Sequence, residues 1–142
     1  MRWALVCAAL VALPGCYLSH RIAEEGETDA GPCEMPPREA VTLRIEIISA
    51  SPASCARAGH IFELDADLGG GPVFAGCPDS RATPTADGCG LEIEGECLGV
   101  EFLRRFSGEL RGPRAEGRID TFMRVGYASA ECDRDERWSI AP

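Results

Sequence analysis

After residue 40 the chain alternates apolar and polar positions with a period of two. Val41, Leu43, Ile45 and Ile47 alternate with Thr42, Arg44 and Glu46, which predicts a half-buried strand. Phe62, Leu64, Ala66 and Leu68 alternate with Glu63, Asp65 and Asp67, and Val73-Phe74-Ala75 forms a short third run. Leu91 and Ile93 alternate with Glu92 and Glu94, with Cys89 and Cys97 on the apolar parity. Val100 to Leu103 and Phe106 to Leu110 predict one or two further strands. Ile119, Thr121, Met123, Val125 and Tyr127 predict another, and Trp138 with Ile140 closes the chain. Gly or Pro stands in nearly every gap, and Pro113-Arg114 centres a predicted β-hairpin. The expectation is an all-β domain of six to eight short strands in an antiparallel meander, either barrel or sandwich. One helical turn, Ser54 to Ala58 with Ser54 as its cap, is the only helix expected after the first fifteen residues.

Those fifteen residues have a different pattern. Arg2 is followed by an uncharged apolar run, Trp3 to Leu13, which Pro14-Gly15-Cys16 ends. A charged start, a short apolar stretch and a small residue at its end are the layout of a secretory signal. The run is too short for a spanning helix, which needs about 20 apolar residues. Leu13-Pro14-Gly15-Cys16 resembles the lipobox of bacterial lipoproteins. That resemblance implies cleavage before Cys16, lipidation of its thiol and a membrane anchor. Tyr17 after the cysteine, in place of the aspartate that retains enteric lipoproteins at the inner membrane, implies the outer membrane of the cell envelope. Two or three acyl chains would hold the protein firmly, because each buried methylene contributes about 0.8 kcal/mol.

The expected organisation is therefore a signal at 1–15, a lipid-anchored disordered tether at 16–32 and a β domain at 33–142. From Tyr17 to Glu39 two arginines face six acidic residues, with three prolines and no apolar periodicity, the composition of a self-repelling linker. After Gly15 only 25 residues are Leu, Ile, Val or Phe, close to the ~20% below which chains tend to disorder. Another source of stability is needed. Setting aside Cys7 in the signal and Cys16, six cysteines remain: Cys33, Cys55, Cys77, Cys89, Cys97 and Cys132. In an oxidising compartment they are expected to form three disulfides, each contributing about 2 to 4 kcal/mol. A zinc site is disfavoured because no cysteine or histidine pair has ligand spacing. Cys77 with Cys89 is the one pairing that local spacing suggests.

Composition narrows the chemistry further. The formal charge is -9, from 23 acidic and 14 basic residues, which disfavours nucleic acid as a partner. Every basic residue is Arg, and the chain has no Lys, Asn or Gln. A phosphate-loop lysine, a Schiff base and an N-glycosylation sequon are thereby excluded. Asp65-Ala66-Asp67-Leu68-Gly69 has calcium-loop character, but the position for the bidentate Glu falls on Gly76; an acidic strand end before a glycine turn fits better. His60 is the domain's single histidine, and no serine lies in a Gly-x-Ser-x-Gly elbow. Glu92, Glu94 and Glu96 share one strand face ahead of an Arg-rich stretch, Arg104 to Arg118, which points to cross-strand ion pairs.

Phe122 interrupts a polar face beside Arg118, Asp120 and Arg124. Aromatic residues next to Arg are enriched where proteins meet, so Phe122, Arg118 and Arg124 are candidate contact residues; a covering sandwich layer is the competing account. The sequence thus favours an anchored envelope protein with a non-catalytic structural or protein-contact domain, no cofactor and no metal. A module for a lipid, glycan or metal ranks second, and a hydrolase using His60 or the Glu92 to Glu96 stripe ranks last.

Overall fold

The computed structural model of the chain describes residues 33–99, 102–126 and 130–142. The expected signal, the expected tether and Cys16 lie outside those residues, as do Val100 and Tyr127. Cys33–Pro142 is one compact unit of seven strands, with no helix among the described residues. The strands are β1 (Ala40–Ser51), β2 (Ile61–Asp67), β3 (Arg81–Pro84), β4 (Gly90–Gly99), β5 (Phe102–Arg111), β6 (Glu116–Val125) and β7 (Ala130–Ile140). They form a single antiparallel sheet in the order β2-β1-β7-β6-β5-β4-β3, curled into a half-barrel.

Period-two patterning explains which face of the curl is filled. Directly opposed residues Leu91, Leu110, Gly117, Trp138, Ile45 and Phe62 form one row across the inner face. Leu43, Ile45, Leu91, Ile93, Leu110, Ile119 and Trp138 are fully buried there, and complete burial of a side chain of this size contributes roughly 1.5 to 3 kcal/mol. The segment from Leu68 to Ser80, which joins β2 to β3, supplies Leu68, Val73, Phe74 and Cys77 to the same core. Gly95 lets this segment approach the sheet: a Cβ there would lie 2.4 Å from Ser80 Cβ and 2.7 Å from Phe106 Cζ.

The three disulfides join Cys33 to Cys89, Cys55 to Cys132 and Cys77 to Cys97. Each connects segments that are distant in sequence, with separations of 56, 77 and 20 residues. Taken singly, loop closure assigns about 4 to 4.5 kcal/mol to each of the two longer links and about 3 to the shortest.

Several expectations need correction. Cys77 pairs with Cys97, because the covering segment carries Cys77 over the inner face of β4, where Cys97 is buried; Cys89, in the turn before β4, instead meets Cys33. Val73-Phe74-Ala75 is not a strand. Val73 and Phe74 face the core as cover while Ala75 is exposed, and among the described residues a hydrogen bond from Asp67 N–H to Val73 O at 2.8 Å links the segment to β2. The short β3 lies instead at Arg81–Pro84, where only Ala82 is buried. Ser54 to Ala58 forms turns without a helix. A sandwich is excluded for the described residues, since all seven strands belong to one sheet.

Candidate functional site

Two features of the half-barrel carry unusual chemistry, one inside and one outside. The inner one is a buried ion pair. Cys132, Arg134, Glu136 and Trp138 share the inward parity of β7, so two charged residues face the core side. Glu136 is fully buried. Its Oε2 accepts hydrogen bonds from Trp138 Nε1 at 2.9 Å, Thr121 Oγ1 at 3.0 Å and Arg104 Nη2 at 3.4 Å. Its Oε1 lies 3.9 Å from Arg134 Nη1. The Arg104 guanidinium is stacked among three rings, with its Cζ 5.5, 5.6 and 5.9 Å from the centroids of Phe74, Phe106 and Trp138. Burial pulls the Arg104 pKa down, and the Glu136 carboxylate counters it. An arginine retains its charge in such surroundings, and the aromatic faces add cation–π attraction.

The outer feature is a groove of about 780 Å³ running across β4, β5, β6, β7 and the end of β1. Strand register places Glu94, Ser107, Asp120, Asp135 and Ser49 in one row, and Glu96, Arg105, Phe122, Asp133 and Ser51 in the next. Asp79 adds a sixth carboxylate to the lining. Two of the six are paired among the described residues, Glu96 with Arg105 and Asp135 with Arg118. Asp120 stands directly opposite Asp135, a like-charge pairing that costs stability in a sheet; Arg118 offsets it, its own pKa raised chiefly by the hydrogen bond to Asp135.

The candidate contact residues separate. Phe122 is half-buried in the groove between Arg105 and Asp133. Arg118 is committed to Asp135, and Arg124 lies opposite Glu131 outside the groove lining. The glutamate stripe also divides: Glu96 meets Arg105, whereas Glu92 faces Glu109 and Glu94 faces Ser107. His60 stacks on Phe62 with ring centroids 5.9 Å apart, and no hydrogen bond joins its imidazole to a serine or carboxylate among the described residues. Asp67 Oδ1 accepts from Gly69 N–H at 2.7 Å and Asp65 Oδ1 from Thr42 Oγ1 at 2.9 Å, as suits an acidic strand end and its glycine turn. Among the described residues no three His, Cys, Asp or Glu side chains are placed to share a metal ion.

Asp87 shows local electrostatics that sequence reading missed. The Thr85 hydroxyl, the Cys89 backbone N–H and Arg111 hold its carboxyl well below the usual range, at about 2. Its hydrogen bonds to Thr85 Oγ1 and Cys89 N fasten the turn that carries the Cys33–Cys89 link. The buried Arg104–Glu136 pair was likewise missed. Its signal was present in the alternation: Arg104 has the parity of Phe106, and Glu136 that of Trp138. No family model matches the chain, and no curated protein or solved structure matches it significantly.

Proposed function

We propose that the chain is an exported, lipid-anchored protein of a bacterial cell envelope whose β domain is a non-catalytic module for contact with another protein. The observation that carries the contact role is the setting of Phe122: a half-buried aromatic in an open groove, on a face that no second sheet covers among the described residues. The filled interior favours this role over a module that encloses a small ligand. Export is supported by the three disulfides, since such bonds persist in oxidising compartments. The anchor rests on the lipobox resemblance at Cys16, and Tyr17 after it, in place of a retaining aspartate, supports the outer membrane as destination.

Two measurements test the reading. Intact-mass analysis of membrane-extracted protein is expected to show a chain that starts at Cys16 and carries added acyl mass; a soluble product with an unmodified Cys16 overturns the anchor. For contact, a photo-cross-linking residue at position 122 of the full chain in its native cells is expected to give a discrete adduct, whereas the same probe at the exposed Glu131 is not. Identical patterns at both positions would refute the role of Phe122.

A further inference from the structure

The half-barrel has two edges, and they are unequally defended. The edge at β3 has four residues, one of them Pro84, and both shortness and proline blunt a sheet edge. The edge at β2 runs for seven residues without a proline. Its register with β1, together with the hydrogen bonds Leu68 N–H to Glu39 O and Ile47 N–H to His60 O, fixes the alternation. The even-numbered residues of β2 bond to β1, so the N–H and C=O groups of Ile61, Glu63 and Asp65 face away from the sheet. Among the described residues, only at Asp67 does another segment take up this edge, through Val73.

The core is also unfinished there. Leu43 and Ile45 of β1 are fully buried, but their cross-strand partners Leu64 and Phe62 on β2 are half-buried. A groove of about 750 Å³ adjoins the end of this edge, between Val41, Ala66 and the covering segment Pro72 to Pro78. On the other face of β2, Glu63 and Asp65 are exposed.

We propose that β2 is a docking edge for an extended segment of another protein, added antiparallel as an eighth strand, with apolar side chains alternating with arginine or lysine. Three matches define that occupant. The backbone groups left unpaired among the described residues require a strand. Its inward side chains would cover Phe62 and Leu64, and its outward ones would lie opposite Glu63 and Asp65, where opposite charge stabilises a cross-strand pair. A second copy of this chain fits poorly, because antiparallel pairing of two β2 edges sets acid against acid. This inference does not depend on the Phe122 face.

The test uses the full chain and a labelled peptide, acetyl-Arg-Val-Arg-Val-Arg-Val-Arg-amide, with binding followed by fluorescence anisotropy. In the proposed pairing the arginines lie opposite Glu63 and Asp65, so their amides bond to β2 while the valine amides point outward. N-methylation of the arginine amides is expected to weaken binding by at least about tenfold, and of the valine amides by less than about threefold. Replacing the arginines with glutamate is expected to abolish binding. Glu63→Pro, which removes an N–H that bonds to no other described strand, is expected to do the same; if that variant does not fold, the methylation pair still decides. Equal weakening by the two methylations, no saturable binding, or a homodimer that Glu63→Pro dissociates would each overturn the proposal.

Discussion

Removing Glu136 tests whether the core depends on a charge or merely contains one. The carboxylate is fully buried and accepts from Arg104, Thr121 and Trp138. Glu136→Leu therefore leaves a buried guanidinium, a hydroxyl and an indole N–H without their acceptor. Losing one partner of a buried pair costs about 3 to 5 kcal/mol, a large part of the roughly 5 to 15 kcal/mol that holds a typical domain folded. Glu136→Gln retains an acceptor for Trp138 and Thr121 while removing the charge, so its cost is expected to be smaller. The decisive variant is Arg104→Met with Glu136→Leu. Replacing a whole buried pair by apolar groups of similar volume ranges from neutral to stabilising, and the three rings around Arg104 suit a methionine thioether. The double variant is therefore expected to recover the part of the loss due to the unpaired guanidinium, while the Thr121 hydroxyl and the Trp138 indole N–H stay without their acceptor. Urea unfolding with the disulfides intact provides the assay, read by the fluorescence of Trp138, the single tryptophan after Trp3. With a slope near 2 kcal/mol per molar, the single variant lowers the midpoint by about 1.5 to 2.5 M. A single-variant cost below about 1 kcal/mol, or a double variant as unstable as Glu136→Leu alone, would refute a charge-coupled core.

Three further outcomes follow from the geometry. Replacing each disulfide by two alanines is expected to lower the thermal midpoint most for Cys55–Cys132, next for Cys33–Cys89 and least for Cys77–Cys97, the order of their loop lengths; a reversed order by calorimetry would show that local packing outweighs chain entropy. Asp87 is expected to titrate at about 2 in a carbon-detected NMR series, rising more in Thr85→Val than in Arg111→Ala, since the hydroxyl has the larger effect. Its folded pKa lies below the unfolded one, so its contribution is complete above about pH 5 and fades as pH falls through 4 towards 2. Gly95→Ala is expected to cost roughly 1 to 3 kcal/mol, as overpacking does, measured as a lower urea midpoint; an unchanged midpoint would mean that Ser80 and Phe106 yield freely.

Alternation was a reliable guide wherever one strand face is apolar and the other charged. The run at Val41 to Ile47 lies in β1, and the run from Phe62 to Leu68 lies in β2 up to Asp67. The run from Ile119 lies in β6 as far as Val125, with Tyr127 outside the described residues, and the hairpin centred on Pro113-Arg114 joins β5 to β6. It failed where burial and strand pairing part company. Val73 and Phe74 are apolar because they cover the core from a loop, and Arg81–Pro84 pairs with β4 despite having one buried residue. It also understated β7, because Arg134 and Glu136 occupy inward positions that an apolar pattern assigns to hydrophobic residues. Phe122 was legible as an aromatic on a polar face; its companions in the groove were not, because Arg105, Asp133 and Asp135 come from neighbouring strands through register.

By itself the sequence determined the all-β character and the use of six cysteines in the domain, since strand periodicity and an even thiol count are local or additive properties. Only the tertiary structure decided which cysteines meet, that the sheet stops as a half-barrel with one edge open among the described residues, and that a glutamate can occupy its centre. Those outcomes depend on which strands become neighbours and in what register. A slip of one residue turns every side chain to the opposite face, so the partner of Cys77 and the company of Glu136 exist only once the sheet has formed.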